Sequence, residues 1–95
     1  MAPIFLCRVE FTFAITGRGV AVDLGVPYEP PTHRVYIGDA LEIRRPDGST
    51  LSTKVRGLEV GGRPDKKACA ILLPADVTQE DVPIGSEVWQ VSRSR

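Results

Sequence analysis

Ninety-five residues supply one small core, so whatever this chain does rests on a single compact domain and its surface. A hydrophobic content of 42% beside 25% charged residues is that of a globular protein and excludes a disordered or fibrous one. Twelve basic and twelve acidic residues cancel, so no net field draws the chain to nucleic acid or an anionic membrane, and binding to a polyanion must use a local patch.

Gly and Pro punctuate the sequence at short intervals, and the segments between them are rich in β-branched and aromatic residues, the pattern of an all-β sandwich or barrel. Phe5, Cys7, Val9, Phe11, Phe13 and Ile15 alternate with Leu6, Arg8, Glu10, Thr12 and Ala14, which predicts one long strand with the first set on the core face. Gly19 to Val22 is its hairpin return, with Gly17 and Gly19 free to take positive φ and Arg18 at the tip. Pro27 to Pro31 is a stiff loop. Arg34–Ile37 and Ala40–Arg44 read as short strands joined by Gly38-Asp39, and Pro46-Asp47-Gly48 as a turn. Thr50–Val60 is a longer strand, and Lys66–Leu73 follows, its Ala68–Leu73 run reading as a strand buried on both faces. Asp76–Asp81 is the only helical candidate, a single capped turn. Gly85–Ser92 closes the fold with Trp89 as a core anchor, which gives one domain over residues 1–92 and a frayed basic tail at 93–95.

Catalytic and cofactor motifs are missing from the sequence. There is no Gly-x-x-x-x-Gly-Lys-Ser/Thr phosphate loop, and Gly17-Arg18-Gly19 lacks the third glycine of a dinucleotide fingerprint and precedes a strand. His33 is the only histidine and has no array of ligands at metal spacing. Cys7 points inward by strand parity, where a thiol packs as a small hydrophobe rather than acting as a nucleophile with His33. The expectation is a non-enzymatic protein with no cofactor, no metal and no GTP binding. The start of the chain is broken by Arg8 too early for a secretory signal, and no stretch approaches the ~20 apolar residues of a membrane span. Cys7 and Cys69 are too few for a disulfide framework, so both are expected as reduced core residues of a cytoplasmic protein with no membrane partner.

Several of these segments also carry a resemblance. Phe13-Ala14-Ile15-Thr16-Gly17-Arg18-Gly19, Ile37-Gly38-Asp39-Ala40-Leu41-Glu42-Ile43, Thr53–Val60, Ala70–Leu73 and Thr78–Val88 resemble, in that order, the second domain of elongation factor Tu and related translation GTPases. The resemblance implies a small closed antiparallel β-barrel of the translation-factor domain 2 type, here without the GTPase domain that accompanies it in the family. It implies a binding module whose partners are RNA or the ribosome, or else a translation-related protein of which this chain is partner or antagonist. Carried over residue by residue, Glu59 falls where the family approaches the terminal adenosine of tRNA, and Glu10 and Phe13 fall where it lines the pocket for the esterified amino acid. Arg18, Arg56 and Arg63 are the basic positions expected on the same face.

The sequence departs from the family in four places: Phe11 replaces an aspartate of that pocket, Gly61-Gly62 an aromatic and an arginine, Pro74 an arginine, and Pro27–Thr32 a shorter turn. Losing the basic groups at Gly61-Gly62 and Pro74 weakens phosphate contacts. Each candidate has a plain structural reading as well: Arg18 as a hairpin-tip residue, Phe11 and Phe13 as core, and Glu59 as an exposed strand residue paired with Arg56 or Lys54. Arg44-Arg45, Arg56, Lys66-Lys67 and the Arg93/Arg95 tail form a basic face only if the fold gathers them.

Overall fold

The computed structural model describes residues 2–10, 12–27, 35–63 and 66–92, without the side chains of 24–27, 59–63 and 66–69. The described residues form strands β1 (Ile4–Arg8), β2 (Thr12–Ile15), β3 (Gly19–Pro27), β4 (Ala40–Arg44), β5 (Thr50–Lys54), β6 (Gly57–Arg63), β7 (Lys66–Leu72) and β8 (Glu87–Ser92), with one 3₁₀ turn at Gln79–Asp81. They pair as two antiparallel sheets of order β1-β8-β4-β5 and β2-β3-β7-β6. The fold is all-β, as the punctuation of the sequence predicts. Among the described residues no strand ladder runs from one sheet to the other, so the closed barrel is not itself seen.

The core lies between the sheets. Cys7, Leu41, Ile43 and Val88 from the first meet Val22 and Ile71 from the second, joined by Val9, Val35, Val55, Leu73, Val77 and Val82 from the connections. Burying a Val, Leu or Ile side chain stabilises the fold by about 1.5–3 kcal/mol, and this shared set holds the two sheets together. Buried polar residues lie beside it, Asp39 and Gln90 among them. The Asp39 carboxylate accepts from Gln90 Nε2 at 2.7 Å and from the Tyr36 amide at 2.8 Å. That second bond, with Asp39 N–H to the Tyr36 carbonyl and Gly38 at φ +95°, makes residues 36–39 a turn, so 35–37 are not the strand that their β-branched residues suggest.

Two long strands expected from the sequence are each divided between the sheets. Residues 4–15 become β1 and β2, because Val9 spends its backbone groups on β8's approach: its N–H bonds the Ser86 carbonyl and its carbonyl accepts from Gly85 N–H. Residues 50–60 become β5 and β6. Val55 exchanges backbone bonds with the 38–39 turn, and the Arg56 N–H already reaches the Leu72 carbonyl of the second sheet. The other expectations hold more simply. Gly17 and Gly19 have φ of +77° and +116°, β4 keeps its predicted bounds, and residues 70–73 are buried at every position. The 3₁₀ turn is closed at its start by Asp81, which accepts from the Thr78 amide and hydroxyl.

Strand parity is corrected at both ends of the first segment. In β1 the register passes from Phe5 opposite Trp89 to Cys7 opposite Val88, so Leu6 is the extra residue of a bulge. Directly opposed residues share a face, so Cys7 goes inward with Val88 and Phe5 outward with Trp89. Phe5 is accordingly 47% exposed, and Trp89 is a half-buried residue of the outer face rather than a core anchor. In β2, Thr12 opposes the core residue Val22 while Phe13 opposes Ala21, which puts Phe13 on the face turned away from the core.

Candidate functional site

The best-defined group of predicted residues gathers where the β2–β3 hairpin tip meets the β5–β6 corner. Gly19 sits at φ +116°, and a Cβ there would lie 3.1 Å from the Leu73 carbonyl oxygen, so only glycine lets the tip pack on the strand leaving β7. Arg18 N–H closes the turn onto the Ile15 carbonyl at 2.8 Å. From the corner, Arg56 Nη1 donates to the Arg18 carbonyl at 2.6 Å, so two residues 38 positions apart become neighbours. Both side chains are exposed.

The same corner carries an apolar knob, on residues whose β propensity predicts a strand. Gly38 N–H donates to the Val55 carbonyl at 2.7 Å, which fixes the 36–39 turn against the residue before Arg56. At its tip Tyr36 is 56% and Ile37 62% exposed. The available signal was Gly38-Asp39: a glycine able to take positive φ followed by an Asp that bonds back to the chain makes a turn, and residues at a turn tip face water.

The remaining candidates are spread out. Glu10 is exposed at the opposite end of β2 from the Arg18 turn. Phe13 is half-buried and lies on a rung with Ala21, Leu72 and Gly57. Glu59 stands opposite Ala70, on a rung with Asp23 two positions further along. Arg63 opposes Lys66 at the far end of β6, seven residues from Arg56 and so roughly 23 Å along a paired strand at ~3.3 Å per residue, and it does not join Arg18 and Arg56. The side chains of Glu59 and Arg63 lie outside the described residues, as do those of Lys66, Lys67 and Cys69, the whole of Phe11, residues 28–34 with His33 and the expected stiff loop, and residues 93–95 with the expected basic tail.

The charges divide between the two ends of the first sheet. Arg44 and Arg45 follow β4 away from the corner, and both are compensated. Arg44 Nε reaches Glu42 at 2.6 Å with its guanidinium 4.2 Å above the Trp89 ring, while Arg45 bonds the Asp81 carbonyl at 2.9 Å and lies 3.8 Å from its carboxylate. Arg8 is paired with Glu87 at 3.1 Å. Hydrogen bonds from Thr78 hold the Asp81 carboxyl below its ordinary pKa, and bonds from Ser49 do the same for Asp47. At the corner, by contrast, Arg56 bonds a carbonyl, and neither it nor exposed Lys54 has a carboxylate partner among the described residues. The predicted basic face is therefore not one face: Arg44 and Arg45 are on the other end of the sheet from Arg56.

Cys7 lies in the core, not at a surface site. It is a buried free thiol whose pKa burial pushes up to about 11, with the nearby Asp23 charge adding to the shift. Among the described residues no three His, Cys, Asp or Glu side chains gather so as to hold a metal ion, and no helix is long and apolar enough to cross a membrane. No protein-family model, curated protein or solved structure matches this chain.

Proposed function

We propose that this chain is a non-enzymatic, translation-associated binding module that contacts RNA or the ribosome through the end of the fold bearing Arg18 and Arg56. In this reading the two sheets close into a barrel of the translation-factor domain 2 type, in keeping with the order of its sequence segments. The observation that carries it is the 2.6 Å bond from Arg56 Nη1 to the Arg18 carbonyl, which gathers two of the expected contact residues on one exposed corner. Cations at such a corner neutralise phosphates, a term that supplies much of the affinity for nucleic acid and weakens with salt. The test is co-sedimentation with ribosomes and binding to ribosomal RNA over a salt series. The Arg18→Ala/Arg56→Ala protein should stay folded, lose capture and show a shallower salt dependence, whereas capture equal to the parent's rejects the reading.

A second reading, a protein-interaction module acting as partner or antagonist of a translation GTPase, is favoured by the outer face of the first sheet. There Phe5 is 47% exposed beside Trp89, and the flanking charges are already paired with one another as Arg8–Glu87 and Arg44–Glu42. A neutral, partly aromatic face suits a protein better than a polyanion. Capture of a translation GTPase that survives high salt and is lost in Phe5→Ser selects this reading over the first.

A further inference from the structure

Resting on the RNA reading above, we infer that the corner binds single-stranded rather than duplex RNA, with a base stacked on Tyr36 and the backbone held by Arg56 and Lys54. Three observations converge. First, the 36–39 turn is pinned to the corner through the Gly38–Val55 backbone bond at 2.7 Å, and Tyr36 at its tip is 56% exposed, so an aromatic ring is held in water on a rigid support. The turn is closed from within by the Asp39 carboxylate on the Tyr36 amide, and that carboxylate is itself anchored by Gln90. The ring's backbone is therefore fixed before any ligand arrives, which limits the ordering cost of stacking.

Second, the cations beside it are available. Arg8, Arg44 and Arg45 each face a carboxylate within 4.0 Å, whereas Arg56 and Lys54 have none among the described residues. Lys54 and Arg56 flank Val55, the residue whose carbonyl holds the turn, so two positive residues without a carboxylate partner among the described residues border the backbone contact that anchors Tyr36. Third, Ile37 adds a 62% exposed apolar surface to the same tip. A duplex offers phosphates but keeps its bases stacked on one another; an aromatic on a basic corner gains its full contact only from an unpaired base.

The experiment uses the full chain and a labelled oligouridylate, free or annealed to oligoadenylate, read by fluorescence anisotropy over a salt series. The single strand should bind more tightly than the duplex. Tyr36→Ala should weaken it at least about fivefold, the lower end of a lost base stack, while Tyr36→Phe keeps the affinity. Lys54→Ala and Arg56→Ala should each lower the salt slope by about 0.7. Thermal unfolding of Tyr36→Ala confirms that an exposed residue was removed without loss of fold. Equal binding of duplex and single strand overturns the inference, as does an unaffected Tyr36→Ala. If ribosomes or ribosomal RNA are still captured through Arg18 and Arg56 in that case, the function proposed above survives without it. If no RNA of either form binds and ribosomes are not captured, both fall.

Discussion

Phe5 and Trp89 stand directly opposite one another across β1 and β8, ring centroids 5.4 Å apart and planes at 71°, on the side of the sheet away from the core. The extra residue Leu6 is what puts them there: without a bulge, Phe5 and Cys7 would share a face. An edge-to-face pair half in water is worth about 0.5–1.5 kcal/mol beyond its burial. Phe5→Ala should therefore cost only about 1 kcal/mol, while Leu41→Ala, fully buried on the inward side of β4, should cost about 2–5 kcal/mol. Urea unfolding of the two variants compares them, and equal losses would mean that Phe5 packs inward.

This bulge also marks where the sequence stops being legible. Alternation identified the strands and the inward positions of Cys7 and Val9, because a half-buried sheet imposes period two wherever pairing is regular. It misplaces Phe5 and Phe13, since parity resets at a bulge or at a bend between sheets, and neither leaves a local signature when the residue concerned is an ordinary Leu6 or Val9; Trp89, expected inside as a large aromatic, follows Phe5 to the outer face. The Gly17 and Gly48 turns were readable because positive φ demands glycine. The meeting of Arg18 and Arg56 depends on a corner between strands of different sheets, which no spacing along the chain encodes. Tyr36 was hidden by its β propensity: Asp39 closes a turn over residues that, in isolation, favour a strand.

Gln90 Nε2 donates to the buried Asp39 carboxylate at 2.7 Å, and removing the donor should cost about 1–3 kcal/mol in Gln90→Ala. Gln90→Glu is the sharper variant, because it sets a second carboxylate against the first. Two carboxylates that close cannot both ionise, so one of them has its folded pKa raised above the unfolded value of about 4. A raised carboxyl pKa favours the folded state at low pH and ceases to do so as pH rises through it. The deficit of Gln90→Glu relative to the parent should thus be small near pH 4 and grow toward pH 7, as chemical denaturation across that range will report; a deficit independent of pH would separate the two side chains.

Ser86 is fully buried, and its hydroxyl has no hydrogen-bond partner among the described residues. Its backbone is engaged, with the carbonyl accepting from Val9 N–H at 2.7 Å, so the approach to β8 is held without the side chain. Deleting an unsatisfied buried hydroxyl removes a desolvation cost and leaves only a small gap. Ser86→Ala should therefore leave the unfolding midpoint unchanged or raise it. A loss above about 1 kcal/mol would show that the hydroxyl has a partner in solution.

Cys7 ties folding to alkaline pH. Burial among apolar neighbours pushes its thiol up from an ordinary 9.0 to about 11, because the thiolate is poorly solvated there, and the Asp23 charge acts in the same direction. The folded pKa lies above the unfolded one, so the neutral thiol's contribution is fully present below about pH 9 and is lost as pH rises toward 11, where the unfolded chain ionises first. The parent should therefore lose stability relative to Cys7→Ala across that window, even though the substitution itself costs packing at every pH. The same burial predicts reactivity. In a Cys69→Ser chain, where Cys7 is the remaining thiol, a thiol reagent near pH 8 should label the native protein far more slowly than the unfolded one. Rapid labelling of the native chain, or a stability difference from Cys7→Ala that stays constant up to pH 11, would place the thiol in water and remove it from the core.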